Sequence, residues 1–316
     1  MSGMTFLERH RRESSVAGVL GLLLLALAVW APAFYQPQPL LSLLAREAPA
    51  LVMACGVALV IVCRQIDISV GSQFGVCCVL AGWLIARDLP WIGVLAGSVA
   101  AGATLGAFNG ALVAGLRLPA IVVTLGTMVL WREGLRWVQQ GRFVELPEGA
   151  QWFGWSQVAG QCVVIGAAAA VWLALTLASR HLAWGRFLYA VGSDAEAARL
   201  AGIRPGPVTF GAFVLLGALT GLAAVFNAVQ SPQVDPKSGT GLELKLIAAA
   251  VVGGVAISGG RGTLWGVLWG LLLLACIGPA LTHLRVEPYW EKAIQGAIIL
   301  LAVVGEGWRR DARSRG

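Results

Sequence analysis

Residues 208–229 read VTFGAFVLLGALTGLAAVFNAV, a long stretch without a single charged side chain. A helix needs roughly 20 mostly apolar residues to cross the hydrocarbon core of a bilayer. Similar stretches recur along the whole chain, in which 58% of residues are hydrophobic and 12% are charged. They are too long and too uniformly apolar for the strands of a membrane barrel, in which apolar and polar residues alternate. The sequence therefore predicts an all-α membrane protein.

We expect about ten transmembrane helices in a single polytopic domain that covers residues 1–316. Their predicted bounds are 15–34, 47–64, 69–86, 91–116, 119–138, 162–180, 208–229, 243–259, 263–283 and 289–307. Proline separates some of them, because it has no N–H group and its ring interrupts a helix. We place Pro37 and Pro39 in the first loop, and Pro205 and Pro207 in the loop before the seventh span.

The first predicted span allows two interpretations. Three arginines between residues 9 and 12 precede an apolar run, and the Ala31–Ala33 stretch resembles the small-residue cleavage site of a signal peptide. The apolar run, however, extends to about Phe34, which is long enough to cross a bilayer. We favour an uncleaved first span.

Basic residues indicate how the chain crosses the membrane. The chain carries 23 Lys and Arg against 16 Asp and Glu, for a formal net charge of +7. An even number of spans puts both termini on one side, and that side receives the larger share of the basic residues, as cytoplasmic loops do. We therefore predict cytoplasmic termini, and we attribute the positive charge to this bias and not to binding of nucleic acid.

Cysteine and histidine give no sign of a metal site. The six cysteines lie in or beside apolar runs without forming a Cys-x-x-Cys pair, and the three histidines are scattered. Cysteine in such positions usually serves as a small apolar residue. We expect no metal and no cofactor on this chain.

Glycines repeat at intervals of four residues in several spans. The rows are Gly102, Gly106 and Gly110; Gly217 and Gly221; and Gly262, Gly266 and Gly270. Small residues at this spacing let membrane helices approach closely. We expect the rows to pack helices within the chain, with a contact between subunits as the alternative.

One polar island, residues 184–207, stands between the sixth and seventh spans and reads WGRFLYAVGSDAEAARLAGIRPGP. Ser193 and Glu196 have the spacing of a capping box, which predicts a short helix over about residues 193–202. Gly202 is then a natural C-cap. Alanines leave this helix nearly flat, which suits a groove in another protein. A helix that lies on the membrane surface is the alternative.

Four segments resemble, in order, segments of a known transporter family. Glu196-Ala197-Ala198-x-x-x-Gly202 is similar to the coupling-loop motif of permeases from ATP-binding-cassette importers. Residues 66–72, 185–192 and 241–263 resemble segments of the ribose-type sugar permeases. The resemblance extends over about residues 15–307.

Within this family the finer likeness is to the permeases for autoinducer-2 and for rhamnose. It is carried by residues 64–67, which read RQID, and by residues 240–245, which read TGLELK. The I-x-L-P run of the longer importer consensus does not follow Gly202. The chain contains no G-x-x-x-x-G-K-(S/T) phosphate loop, and we expect the glycine-rich residues 258–263 to form a tight turn.

The resemblance implies a permease subunit, not an enzyme, in a bacterial inner-membrane importer of a monosaccharide or related small polyol of the rhamnose, ribose or autoinducer-2 type. Such a subunit works by alternating access. Its implied partners are cytoplasmic ATP-binding subunits that bind ATP and Mg, a second identical or homologous permease, a periplasmic sugar-binding protein, and membrane lipid. The residues implied in coupling to the ATPase are Ser193, Asp194, Glu196, Ala197, Ala198 and Gly202.

Polar side chains inside spans are costly in lipid, so they are candidates for the solute path. The candidates are Asp67, Ser69, Ser72, Asn109, Thr124, Thr127, Asn227 and Gln230. Their hydroxyl and amide groups suit a neutral sugar, but hydrogen bonds between helices are an equally good use of them. Asp67 has the further alternative of capping the helix that follows it.

Two other functional classes stay open. An ion-coupled secondary transporter of a small solute needs an acid or a sodium site inside the membrane, and Asp67 is the only acid that we expect there. A membrane enzyme needs a converging catalytic cluster, and the sequence shows none.

Overall fold

The computed structural model describes residues 11–283 and, beyond them, only residues 287, 290, 292–294, 296–298 and 300. The described helices are α1 Arg11–Trp30, α2 Pro37–Val62, α3 Val70–Ala86, α4 Trp91–Gly110, α5 Ala120–Gln139, α6 Gln157–His181, α7 Ala183–Ser193, α8 Ala195–Leu200, α9 Pro205–Ala228, α10 Leu242–Val252 and α11 Leu264–His283. A π-helical turn, Ala111–Gly115, extends α4, and 3-10 turns cover Pro32–Tyr35 and Gln151–Gly154. Strands β1 Val144–Glu145 and β2 Gln233–Val234 form a short antiparallel pair.

Five of the described helices are long and apolar enough to cross a membrane. They are Pro37–Val62, Trp91–Gly115, Gln157–His181, Pro205–Ala228 and Leu264–Thr282. Two apolar helices, Ser14–Trp30 and Val70–Ala86, are shorter. The prediction of an all-α membrane protein is confirmed. The count of ten spans stays a prediction, and the tenth span, 289–307, lies largely outside the described residues.

The prolines that we placed in loops instead begin helices. Pro37 is the first residue of α2, Pro205 is the first residue of α9, and Pro39 and Pro207 lie in the same first turns. The N–H groups of a first turn have no carbonyl partner within the helix, so proline loses nothing there, and its fixed φ suits the helix. Those loop predictions are wrong, and α2 begins ahead of residue 47.

Helices α4 and α9 pack backbone to backbone through their glycines. A Cβ atom placed on Gly102 would lie 2.8 Å from the amide nitrogen of Gly221, and one placed on Gly106 would lie 3.1 Å from Cα of Gly217. No side chain larger than hydrogen fits at these points, which is the close approach that such rows allow. The prediction that these rows pack helices within the chain is confirmed for this pair.

Helix α2 lies at the centre of the bundle. It contacts α6, α9, α10 and α11, and every residue from Val52 to Val62 is buried. The side chains of Leu216 and Leu219 on α9 lie over Gly56. A helix that packs on several sides must be apolar all round, which is why this part of the sequence shows no polar face.

The eighth predicted span, 243–259, is not one continuous helix. Helix α10 has only 11 residues, so it is roughly 16 Å long, about half of the hydrocarbon thickness of a bilayer. It ends at Gly253 and Gly254, and Gly254 adopts a φ of 92° that favours glycine. The prediction is wrong because the glycines end the helix inside a run that is apolar throughout.

Residues 235–241 form consecutive turns ahead of α10, and we call this stretch the descending segment. It starts after β2, which lies against α3, and it follows a row of glycines along that helix. A Cβ atom on Gly75 would lie 2.9 Å from the carbonyl oxygen of Ser238, and one on Gly71 would overlap the Glu243 carboxylate. The descending segment therefore runs from the strand pair to the first turn of α3, where α10 begins.

Two ion pairs hold α10 at this depth. Lys245 Nζ lies 2.8 and 2.7 Å from the two carboxylate oxygens of Glu47 on α2, and Arg132 Nη2 on α5 lies 3.7 Å from Glu243. Both acids are 7% exposed. The expectation that Asp67 is the only internal acid is wrong. Helix α2 starts earlier in the chain than predicted and α10 starts deep in the bundle, so both acids lie inside.

Removing one partner of the buried Glu47–Lys245 pair should destabilise the protein. Lys245→Met leaves the Glu47 carboxylate buried and unpaired, and we expect the free energy of unfolding to fall by about 3 kcal/mol. The double variant Glu47→Leu with Lys245→Met should recover most of that loss, because no charge is then buried. Denaturant unfolding in detergent micelles measures both.

The matched control is Lys237→Met, which removes an exposed lysine a few residues away. It should change the free energy of unfolding by no more than about 0.5 kcal/mol. Equal losses for Lys237→Met and Lys245→Met would contradict a specific role for the ion pair.

Candidate functional site

The polar helix α8 is capped by Asp194, not by Ser193. The Asp194 carboxylate accepts hydrogen bonds from the N–H groups of Glu196 and Ala197, at 2.9 and 3.0 Å. Asp194 has the extended backbone that an N-cap needs, whereas Ser193 is the last residue of α7. The predicted capping box is wrong, because Glu196 instead accepts hydrogen bonds from Arg199, which raise the pKa of the Arg199 guanidinium.

The other end of α8 closes at Gly202, as predicted. Gly202 has a φ of 84°, its N–H donates to the carbonyl of Arg199 at 3.0 Å, and the N–H of Ile203 donates to the carbonyl of Ala198 at 3.0 Å. These two bonds form a Schellman motif, in which glycine is preferred because of its positive φ. Both ends of this short helix are therefore satisfied by its own residues.

The outer face of α8 consists of small side chains around one large side chain. Leu200 is 79% exposed, and Ala195, Ala197 and Ala201 are exposed as well. Ala198 is only 5% exposed and faces the bundle. Of the residues that the resemblance implies in coupling, Ala198 therefore lies on the inner side of α8, away from the surface that another protein can reach.

Sequence reasoning missed α7, the helix that leads into α8. Leu188 and Val191 are buried while Arg186 and Phe187 are exposed, which is the pattern of a helix lying on a surface. The spacing of Leu188 and Val191 was the available signal. The polar composition of the island as a whole hides this spacing.

Gly192, near the end of α7, meets two other parts of the chain, and we call this contact the glycine junction. The N–H of Gly260 donates to the carbonyl of Val62, the last residue of α2, at 2.8 Å. A Cβ atom on Gly192 would overlap that same carbonyl oxygen, and one on Gly259 would lie 2.7 Å from the Gly192 carbonyl. Gly259 and Gly260 both have positive φ, so residues 258–263 form the predicted tight turn. The end of α7, the 258–263 turn and the end of α2 are thus in direct backbone contact.

A second polar cluster surrounds Asp67, between α2 and α3. Its carboxylate accepts hydrogen bonds from the N–H and hydroxyl of Ser69, at 2.8 and 2.5 Å, and from the amide nitrogens of Gln73 and Asn109, at 2.9 and 3.4 Å. Asp67 is 1% exposed. The cluster joins three predicted residues. Ser69, not Asp67, is the N-cap of α3, and no side chain caps this helix. The capping role that we considered for Asp67 is therefore wrong, because its carboxylate bonds to the N–H of the N-cap residue and so orders the turn ahead of α3.

Gln73 belongs to this cluster although the sequence analysis did not name it. It lies one helical turn after Ser69, so both side chains lie on the same face of α3, and that spacing was the available signal. The remaining amide oxygens, Gln73 Oε1 and Asn109 Oδ1, are buried and have no hydrogen-bond donor within the described part of the chain.

The other predicted path residues do not join this cluster. Ser72 is buried and its hydroxyl has no partner among the described residues. The remaining four bond elsewhere: Thr124 to the carbonyl of Ala120, Thr127 to the carbonyl of Thr124, Asn227 to the sulfur of Cys78, and Gln230 to the carbonyls of Ala45 and Phe226. A solute role for any of them stays a prediction.

Comparison with known proteins identifies the family. Residues 40–303 match the family described as branched-chain amino acid transport system / permease component. Three relatives share the printed name autoinducer 2 import system permease protein LsrC. The protein from Klebsiella pneumoniae subsp. pneumoniae is 35% identical over 99% of this chain and 91% of its own length.

The Salmonella typhimurium protein is 33% identical over 99% of this chain and 90% of its own length. The Escherichia coli protein is 33% identical over 99% of this chain and 91% of its own length. No solved structure matches the chain. With the family match over most of its length and relatives of this identity, the chain belongs to the family of transport-system permease components.

Proposed function

We propose that this chain is a permease subunit of an ATP-driven, binding-protein-dependent importer, and that partner ATPases act on it through α8. One observation carries the proposal. Helix α8 is capped at both ends, presents Leu200 and three alanines outward, and is joined to α7 directly beside the glycine junction at the end of α2. A flat, small-residue surface of this kind fits a groove in a partner protein.

The partners follow from the family. We propose cytoplasmic ATP-binding subunits that hold ATP and Mg, a second permease, identical or homologous, and a periplasmic sugar-binding protein. In this arrangement the chain crosses a bacterial inner membrane about ten times as one domain, with α8 and both termini in the cytoplasm. The exposed apolar side chains of the spanning helices then face membrane lipid.

The glycine junction explains how α8 acts on the spans. Closure of the ATPases pushes α8, and the overlap that any side chain on Gly192 would make with the Val62 carbonyl shows that the junction has no free space. The push therefore reaches α2 and the Asp67 cluster that follows it. Reorientation of these elements provides the alternating access.

The proposed solute is a monosaccharide or related small polyol. Autoinducer-2 is the first choice, because the similar proteins are autoinducer 2 import permeases; rhamnose and ribose come next. An ion-coupled secondary transporter is not favoured. The family consists of transport-system permease components, and the buried acids Glu47 and Glu243 are paired with cations.

Changes on the outer face of α8 should abolish uptake without affecting the fold. Glu196 and Leu200 are exposed, so Glu196→Ala and Leu200→Asp leave the packing of the bundle untouched. We expect both variants to reach the membrane at normal level, to lose ATP-dependent uptake, and to lose stimulation of the partner ATPase. Uptake of labelled autoinducer-2 by vesicles that hold the complete importer measures the first effect, and phosphate release measures the second.

His181→Ala is the matched control, because His181 is also exposed but lies ahead of α7. It should transport normally. Normal uptake by both α8 variants would exclude the coupling role of this helix. Uptake that persists in vesicles lacking the ATPase would instead indicate an ion-coupled transporter.

Asp67 should serve to order the turn ahead of α3, and Asp67→Asn tests this role. Asparagine keeps one side-chain oxygen for the N–H of Ser69, and the free amide oxygens of Gln73 and Asn109 can accept from the new amide group if these side chains turn over. We expect Asp67→Asn to keep its membrane level and most of its uptake. Asp67→Ala leaves the buried donors of Ser69, Gln73 and Asn109 without this acceptor and should lower the free energy of unfolding by at least about 1 kcal/mol.

Uptake and unfolding measured on the same preparations separate the two roles of Asp67. An Asp67→Asn variant that is as stable as the parent but transports nothing would show that the carboxylate acts on the solute or in gating.

A further inference from the structure

The descending segment exposes polar groups at a depth where lipid cannot be their neighbour. Lys237 and Thr240 are exposed, whereas Pro236 between them and the strand pair is buried against α3. The contact of the Ser238 carbonyl with Gly75 places this stretch roughly 16 Å, at about 1.5 Å per residue, from the end of α3 near Ala86. That is about half of the hydrocarbon thickness of a bilayer.

Backbone that is neither helix nor closed sheet does not face lipid, because its polar groups then lack hydrogen-bond partners. The descending segment forms only three backbone hydrogen bonds of its own, from the N–H groups of Ser238, Thr240 and Leu242 to the carbonyls of Asp235, Lys237 and Gly239. Its exposed edge therefore faces water or another protein.

Helix α5 lies beside the descending segment and carries charged side chains close to it. Leu135 Cδ2 lies 3.4 Å from the position of a Cβ on Gly75, the same glycine that contacts Ser238. Arg132 lies three residues before Leu135, on the same face of α5, and its guanidinium lies 3.7 Å from Glu243. Glu133 and Arg136, two residues before and one residue after Leu135, lie on neighbouring faces; their side chains are 56% and 69% exposed and form an ion pair at 2.9 Å. A helix that faced only lipid would not carry such a pair together with Arg132.

We propose that the exposed edge of the descending segment lines the water-filled solute path, with Lys237 and Thr240 in contact with a polyhydroxylated solute. This inference rests on the proposed importer function and names the surface that its solute touches. The ammonium group of Lys237 has no carboxylate partner among the described residues. The Thr240 hydroxyl donates to the Lys237 carbonyl at 2.8 Å, which leaves its oxygen lone pairs free.

The two side chains complement the hydroxyl groups of a polyol. Lys237 offers three N–H donors to solute oxygens, and the Thr240 oxygen accepts from a solute O–H. Neither side chain contributes a negative charge, so a neutral or anionic polyol is accepted and a cation is repelled. Glu243 lies buried behind this surface against Arg132 and Gly71, so its charge is compensated from within the fold.

Cysteine accessibility tests the proposal on the full-length chain in membrane vesicles. Cys162 is the one exposed cysteine among the described residues, so Cys162→Ser serves as the parent. Lys237→Cys and Thr240→Cys are the test positions. Val122→Cys on α5 is the lipid-facing control, because Val122 is 66% exposed. Glu148→Cys, in the exposed loop after β1, is the aqueous control.

The probe is a water-soluble methanethiosulfonate reagent that carries a sulfonate group, whose negative charge the surface accepts. Apolar surroundings raise the pKa of a thiol. Each unit by which this pKa rises lowers the fraction of reactive thiolate about tenfold. We therefore expect the two test positions to react at least about tenfold faster than Val122→Cys. Saturating autoinducer-2 should slow their reaction and leave Glu148→Cys unchanged.

Two results would overturn the proposal. In the first, both test positions react as slowly as Val122→Cys, although Glu148→Cys in the same membranes reacts fast. The second is spontaneous disulfide linkage between two copies through Lys237→Cys, which would make this edge a subunit interface and not a path.

The labelling needs no ATPase, so it is independent of the proposed importer function. Fast labelling without ATP-dependent uptake in the complete complex would reject the importer and keep the aqueous surface. ATP-dependent uptake without labelling would reject only the present inference.

Discussion

The rest of the structure depends on one constraint, which is that backbone polar groups inside a bilayer need partners. Helices satisfy it internally, and most of this chain is helical for that reason. The descending segment is the exception. It is held against α3 by Gly71 and Gly75, where any side chain would keep the backbone of its turns away from the helix. The glycines of α3 thus let a non-helical stretch pack against this helix without separating the surrounding helices.

The buried charges are arranged around the same exception. Glu243 lies in the first turn of α10 and against the first turn of α3, so the partial positive charges of two helix N-termini and the Arg132 guanidinium surround its carboxylate. Lys245, half a turn further along α10, is paired with Glu47 on the central helix α2. The break in the crossing, its two ion pairs and its glycine contacts therefore form one structural unit.

Hydrophobic runs predicted most of the spanning helices, because a run of apolar residues has one favourable structure in lipid. The spans at 91–116 and 119–138 agree with α4 and α5 within a few residues. The break within the eighth span was not predictable in this way. Leu242 to Ile257 is largely apolar, and only the conformation of Gly254 shows where α10 ends.

The candidate site was predictable where the signal was local and missed where it was not. Gly202 ends α8 as expected, since positive φ selects glycine. The observed N-cap is Asp194, one residue after the predicted Ser193. Both residues suit an N-cap, and only the end of the preceding helix α7 decides between them. The glycine junction joins residues far apart in the chain, and no spacing rule connects Gly192 to Val62.

The crossing of α4 and α9 has a consequence for motion. Their backbones touch at Gly102, Gly106, Gly217 and Gly221 with no side chains between them. This close approach brings a long strip of backbone atoms into van der Waals contact. We therefore expect the two helices to move together as one unit when the bundle changes shape.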